Sequence, residues 1–150
     1  MTIWVDADGC PQSVRQIVLR ASRRTGMQTV FVANRPLPEP TAPNASAVHV
    51  PQGADVADYY IAASLDPADL VITQDIPLAA EVVEKGAMAL SPRGEEYTAE
   101  SVREKLSMRD FMEEMRGASL AGGGPSAESG RDKQAFANAL DRWLARNAPN

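Results

Sequence analysis

The sequence predicts a three-layer α/β/α fold with a mainly parallel, five-stranded sheet and additional C-terminal helices. Two observations lead to this prediction: short, wholly apolar segments typical of buried strands, and amphipathic segments that alternate with them through residues 1–97. Such alternation is typical of parallel sheets with right-handed crossovers and helices on both faces. A length of 150 residues, 44% of them hydrophobic and 23% charged, indicates one domain with its own core.

The first half of the sheet is predicted from three apolar runs. The first strand covers residues 2–6, and a helix follows from Pro11 to Gly26, residue types that favour a helix start and end. The next two strands, MQTVFVA and AVHVP, are separated by a segment with four prolines. Proline at that density predicts a loop.

The second half of the α/β region begins with a helix over ADVADYYIAASL, for which Val56, Tyr60 and Ile61 are predicted to face inward. The strand DLVIT follows. Asp75 then stands where a helix N-cap belongs, with Pro77 in the first turn, and AMALS is the fifth strand.

The C-terminal part, residues 98–150, is predicted to be helical with one interruption. A charged amphipathic helix covers residues 98–116 and has Val102, Leu106 and Phe111 among its apolar positions. Residues 117–130, rich in Gly, Ser and Ala, predict a flexible loop. A last helix over residues 131–146 carries an apolar stripe that is expected to dock on the body, namely Phe136, Leu140, Trp143 and Leu144.

Composition argues against several classes of protein. A single cysteine, Cys10, excludes an internal disulfide and a thiolate zinc site. A net charge of −5 argues against a broad basic surface for nucleic acid. The two aspartates within the first eight residues are unlike a signal peptide, and no apolar run is long enough to span a bilayer. The expectation is a cytoplasmic protein without a membrane partner, and the sequence leaves its oligomeric state open.

Acidic side chains follow three of the predicted strands. In parallel α/β sheets, functional residues gather outside the carboxyl ends of the strands. The carboxylates expected at that edge are Asp6 and Asp8 after the first strand, Asp55 and Asp58 after the third, and Asp75 after the fourth. Carboxylate oxygens are ligands that Mg²⁺ and Mn²⁺ prefer, so the pattern predicts a divalent metal site. The alternative is that Asp75 is only a helix cap and Asp6 only a turn residue.

Other kinds of chemistry have weaker support. His49 lies in a predicted strand without a nearby nucleophile, and the cysteine and arginine of CPQSVR are one residue too close for a phosphatase loop. The run VDADG is compatible with an aspartyl phosphotransferase, in which Asp6 would be the nucleophile and Asp8 the acid. That enzyme class stays open as a rival.

Longer segments resemble a known family. VDADGCP, ADYYIAASLDPADLVITQDIPLA, ALSPRGEEYT and GGGPSAESGRDKQAFANALD are similar to the YaiI/YqxD family of bacterial proteins, and the resemblance extends over nearly the whole chain. That family is similar in turn to the PIN-like nucleases. The resemblance implies a single PIN-like domain over residues 1–150 that uses Mg²⁺ or Mn²⁺ to cleave phosphodiesters, usually of RNA.

The resemblance also implies roles for individual residues. Asp6 and Asp75 match metal-binding acids, and Asp58 stands where the nucleases have a glutamate, so Asp55 is a possible replacement for this shorter side chain. Thr73 and Asp8 would orient water. Ser91 occupies the position of a missing fifth-strand acid. The candidates for substrate contact are Arg93, Asn34, Ser91 and Glu95, with Glu95 also a substitute for the missing acid.

The missing acid keeps a non-enzymatic alternative open. A binding module for nucleic acid or protein on the same fold would use the arginine-bearing helices and the loop at 117–130. RNA or DNA is the predicted partner of the nuclease, and the binding module would take nucleic acid or a protein.

Overall fold

The structure, a computed structural model, describes residues 1–40, 42–53, 55–117 and 130–147, without the side chains of 109–117. The strands are β1 (Thr2–Asp6), β2 (Gln28–Ala33), β3 (Ala45–His49), β4 (Leu70–Ile72), β5 (Met88–Leu90) and β6 (Glu96–Tyr97). The helices are α1 (Gln12–Thr25), α2 (Val56–Ser64), α3 (Ile76–Glu84), α4 (Ala99–Gly117) and α5 (Gly130–Asn147), and a single 3₁₀ turn, Ala7–Gly9, follows β1.

The described strands form one sheet of six, in the order β3-β2-β1-β4-β5-β6. Neighbouring strands are parallel from β3 to β5, as predicted, and β6 is antiparallel to β5. The predicted number of five strands is therefore wrong by one. A turn in which the Gly94 N–H donates to the Ser91 carbonyl at 2.9 Å reverses the chain, so that Tyr97 pairs with Ala89.

Alternate side chains of the strands enter two separate apolar clusters. Ile3 and Val5 of β1 pack in a cluster with buried residues of α1 and α5, whereas Trp4 belongs to a second cluster with residues of α2, α3 and α4. The sheet is thus covered by apolar side chains on both faces, which explains why its strands are apolar runs without polar alternation.

Most predicted helix boundaries agree with the structure to within two residues. The Gly26 N–H caps α1 by donating to the Ser22 carbonyl at 2.8 Å, and Gly26 has a left-handed φ of 75°. Asp75 is the N-cap of α3, since its Oδ1 accepts from the Leu78 N–H at 2.8 Å. Pro11 lies one position before α1 rather than in its first turn.

One inward-facing prediction is wrong. Tyr60 is 36% exposed, whereas Ile61 is fully buried and Val56 partly so. The short helix α2 buries mainly small residues, and the Tyr60 ring rests edge-on against the ring of Trp4, with centroids 6.2 Å apart. An aromatic side chain can therefore lie at the margin of a core with one face in water.

The apolar stripe of α5 packs against the sheet as predicted, and α4 packs mainly against α3. Val102 of α4 is buried and Leu106 partly buried, and the apolar stripe of α5 is buried throughout. The Phe111 side chain and residues 118–129 of the predicted flexible loop lie outside what the structure describes. Among the described helices, none has the length and apolar character needed to cross a membrane.

Candidate metal centre

The strand order creates a crevice between the carboxyl ends of β1 and β4. From β1 the chain moves to β2 and β3 on one side, and it resumes at β4 on the other side of β1. Such a switch point leaves a gap between the two departing connections, where parallel α/β proteins bind ligands. Asp6 is the last residue of β1, and Thr73 directly follows β4.

Asp6 is the most buried carboxylate of this crevice, at 7% exposure. Its Oδ2 accepts a hydrogen bond from the Thr73 hydroxyl at 2.8 Å, and the Thr73 oxygen accepts in turn from the Asp75 N–H at 2.9 Å. Burial raises the pKa of Asp6, the bond from Thr73 opposes this shift, and the charges of Asp75 and Asp8 add to it. Thr73 therefore links the ends of β1 and β4 and fixes the Asp6 carboxylate in place.

Three further carboxylates converge beside Asp6. One oxygen each of Asp55, Asp58 and Asp75 lies within 4.8 Å of the other two. Asp55 and Asp58 come from the N-terminal end of α2, where Asp55 has a positive φ of 65°. The three residues line a cavity of about 330 Å³ together with Tyr59, Pro77, Leu78 and Glu81.

The closeness of these carboxylates disfavours the charged form of Asp58. Burial, the hydrogen bond with Asp75 and the negative charges of Asp75, Asp6 and Asp55 together raise the pKa of Asp58 to about 7. The protonated form of Asp58 is therefore favoured up to about neutral pH. A divalent cation could replace that proton, because carboxylate oxygens are the donors that Mg²⁺ and Mn²⁺ accept.

Asp8 is engaged on the other side of Asp6. Its Oδ2 accepts from the backbone N–H of Asn34 at 2.7 Å, and its Oδ1 lies 3.5 Å from the Nε of Arg35. Asp8 thus ties the segment after β2 to the turn after β1. Asp8 and Asn34 were both predicted as site residues. The negative charge of Asp8 raises the pKa of Asp6, and the backbone N–H of Asn34 binds the Asp8 carboxylate.

The predicted residues after β5 form a compact turn. The Ser91 hydroxyl accepts from the N–H groups of Arg93 at 3.2 Å and Glu95 at 3.1 Å, so it stabilises the loop at the position of the missing acid. Glu95 forms an ion pair with Lys105 of α4 at 3.0 Å and is not part of the three-carboxylate cluster. Arg93 is exposed.

Sequence reasoning missed the tyrosines around the site. The Tyr97 hydroxyl donates to the Thr73 carbonyl at 3.2 Å, and burial, with the nearby charges of Glu95 and Asp75, raises the pKa of Tyr97 to about 12. Tyr59, next to Asp58 in the chain, is 78% exposed at the cavity. The two-residue strand that carries Tyr97 has no periodic signal, and Tyr59 lies in a mainly apolar helix for which the sequence pattern predicts only the inward-facing residues.

Comparison with known proteins identifies a matching family model and relatives that are more than half identical to this chain. A family model described as "Uncharacterized BCR, YaiI/YqxD family" matches residues 4–146. A UPF0178 protein of Shewanella sp. (strain ANA-3) is 56% identical over 144 residues, 96% of each chain. A UPF0178 protein of Xanthomonas oryzae pv. oryzae (strain PXO99A) is 57% identical over 143 residues, 95% of this chain and 89% of its own. No solved structure matches the chain.

Proposed function

We propose that this chain, which belongs to the YaiI/YqxD family, is a PIN-like nuclease that depends on a divalent metal ion and cleaves RNA. The observation that carries the proposal is the convergence of Asp55, Asp58 and Asp75, with oxygens within 4.8 Å, beside the buried Asp6. The PIN-like, three-layer arrangement belongs to the proposal. It is supported by the apolar cover on both faces of the mostly parallel sheet.

The donor set fits Mg²⁺ or Mn²⁺. Asp55, Asp58 and Asp75 would hold the ion, with Asp6 as a further oxygen donor at the floor of the crevice. A bound cation of this kind stabilises negative charge on a phosphate and makes water more acidic. The raised pKa values of Asp58 and Asp6 are consistent with this role, since burial and neighbouring carboxylates disfavour the charged form of both groups.

The chain's own residues prepare the site for hydrolysis. Thr73 orients Asp6 through its hydroxyl, and its oxygen positions the backbone of Asp75. Asp58 would hold the ion as a carboxylate, so the ion would take the place of the proton that its raised pKa favours. Arg93, exposed after β5, is proposed to contact a phosphate of the RNA.

Cleavage of RNA with either metal ion is the direct test. With Mn²⁺ or Mg²⁺ the wild type is expected to cut single-stranded RNA, and Asp58→Asn and Asp75→Asn to lose about 100-fold or more of that activity because each removes a ligand charge. Asparagine keeps the capping oxygen of Asp75, so α3 stays intact. Asp141→Asn, at an exposed ion pair with Arg24, is the matched control and should cleave normally. Equal cleavage by all four proteins, or none by the wild type, would contradict the proposal.

Proton and metal should compete at Asp58. Its folded pKa of about 7 exceeds the ordinary 3.8, so its stabilising contribution is complete below 3.8 and is lost as the pH rises to about 7. Without metal, the free energy of unfolding of the wild type should fall by on the order of 1–2 kcal/mol relative to that of Asp58→Asn between pH 5 and 8. This figure allows for solvent screening of the partly exposed carboxylate.

Metal should reverse that loss at high pH. A cation at about a hundredfold over its Kd adds roughly 2.7 kcal/mol, which raises the melting temperature by about 5–10 °C. Melting curves with EDTA, Mg²⁺ and Mn²⁺ across this pH range measure both effects. If the metal-induced rise were the same in the wild type and Asp58→Asn, or stronger in acid, the three carboxylates would not be the binding site.

A further inference from the structure

Two neighbouring aromatic side chains of α2 are exposed close to the acidic cavity. Tyr59 is 78% exposed and Tyr60 36%, and they are two of the four exposed large hydrophobic residues in the described part of the chain. Solitary exposed apolar residues are common on protein surfaces. Two adjoining ones at a candidate site form a local surface of the kind that binds a partner or ligand.

The position of Tyr59 connects two cavities. Tyr59 lines the acidic cavity together with Asp55, Asp58 and Asp75. It also lines a second, mainly apolar cavity of about 510 Å³, whose walls include Val50, Pro51, Val56 and Tyr60. A ligand with a charged group in the first cavity could therefore place a neutral, flat group in the second.

The aromatic ring is attached to a well-anchored part of the backbone. The Tyr59 N–H donates to the Asp55 carbonyl at 2.9 Å at the start of α2, and Tyr59 directly follows Asp58 in the chain. The neighbouring Tyr60 is supported by its edge-on contact with Trp4. The exposed ring of Tyr59 is therefore held near the acidic residues by short-range geometry rather than by a long flexible loop.

We infer that the Tyr59 ring is a stacking platform for a nucleobase of single-stranded nucleic acid whose neighbouring phosphate lies at the acidic cavity. This rests on the proposed function and adds to it a substrate class and a specificity residue. Nucleobases are neutral and flat, so they suit an apolar cavity beside a cluster that would hold a cation. Bases of single strands stack on exposed aromatic rings, whereas those of a duplex are already stacked on each other.

Binding measurements can test the stacking role apart from cleavage. The probe is a short fluorescent oligouridylate, single-stranded or annealed to oligoadenylate, and the readout is fluorescence anisotropy with Ca²⁺ as the cation. Tyr59→Ala is expected to weaken single-strand binding about 10-fold, within the range for loss of one aromatic–base stack. Tyr59→Phe keeps the ring and should bind like the wild type. Met108→Ala, which removes another exposed side chain (59%) on α4, is the matched control.

Each alternative outcome has a definite meaning. Equal affinity of wild type and Tyr59→Ala, equal losses in the Ala and Phe variants, preference for the duplex, or no binding of either probe would overturn the inference. The proposed nuclease function is judged separately by cleavage with Mn²⁺. Cleavage that is unchanged in Tyr59→Ala would leave the nuclease standing without the platform, and tight Tyr59-dependent binding without cleavage would leave the platform standing without the nuclease.

Discussion

A chain truncated before α5 is expected not to fold. Phe136 and Leu140 are fully buried, and Trp143 and Leu144 are at most 6% exposed, in the same apolar cluster as Ile3 and Val5 of the central strand β1. Each such side chain contributes roughly 1.5–3 kcal/mol on burial, so the four together supply about 6–12 kcal/mol. This is comparable with the whole stability of a typical domain, about 5–15 kcal/mol. Circular dichroism and urea unfolding of residues 1–129 would show the loss.

A single substitution measures the contribution of one of these four side chains in a chain that is expected to fold. Phe136→Ala is expected to cost about 3–5 kcal/mol, because Phe136 is fully buried in the apolar cluster and its loss leaves a cavity there. Gln134→Ala on the exposed side of α5 is the matched control and should change stability by less than about 0.5 kcal/mol. A truncated chain that unfolds cooperatively at the wild-type midpoint would show α5 to be dispensable.

The helix also supports the turn that carries Arg93. A Cβ at Gly94 would lie 2.5 Å from the backbone carbonyl carbon of Ala135, so the α5 backbone lies directly against this turn. Only glycine allows such an approach. The Phe136→Ala protein therefore also tests whether a loss of packing around α5 changes the conformation of the turn after β5.

The regular part of the fold was accessible from sequence because its signals are local. An apolar run ending in Asp6, a glycine after α1 and an aspartate followed by proline before α3 each report the conformation of their own residues. β6 has no such signal, since a two-residue strand has no measurable period and forms only because the Ser91–Gly94 turn returns the chain to β5. The exposure of Tyr60 likewise depends on a distant residue, Trp4.

The candidate site was predictable in outline for a topological reason. Carboxyl ends of parallel strands share one edge, so Asp6 and Asp75 had to be neighbours once β1 and β4 were adjacent. Sequence cannot show which carboxylates at that edge are already occupied by other donors. Asp8 accepts a backbone N–H and pairs with Arg35, whereas burial and the neighbouring Asp75 raise the pKa of Asp58. These differences arise from contacts between segments far apart in the chain.

Asp69 shows how the same residue type can serve structure alone. It lies directly before β4, at the opposite edge of the sheet from the acidic cluster, and is 3% exposed. Its Oδ1 accepts from the Thr2 N–H at 2.8 Å, and its Oδ2 accepts from the Trp4 Nε1–H at 2.9 Å and the Asp66 N–H at 3.0 Å. A single carboxylate thus satisfies three donors and joins the beginnings of β1 and β4.

Replacing Asp69 by alanine is expected to destabilise the protein by roughly 3–5 kcal/mol, because each buried donor left without an acceptor costs about 1–3 kcal/mol. Asp69→Asn should cost less, since its carbonyl oxygen still accepts while its NH₂ group faces donors. Urea unfolding followed by Trp4 and Trp143 fluorescence measures both, with Asp66→Ala as the control because the exposed Asp66 contributes only backbone groups.

The contrast with Asp75→Asn separates a structural carboxylate from a candidate ligand. Asp75→Asn keeps its capping oxygen and removes a charge that repels Asp58 and Asp6, so without metal it should be as stable as the wild type or more stable. Metal should stabilise Asp69→Asn as much as the wild type and Asp75→Asn much less. If Asp69→Ala kept the wild-type midpoint, the three hydrogen bonds would be replaceable by water. If Asp75→Asn were the strongly destabilised variant in EDTA, its carboxylate would be a structural cap and the acidic cluster would not need a cation.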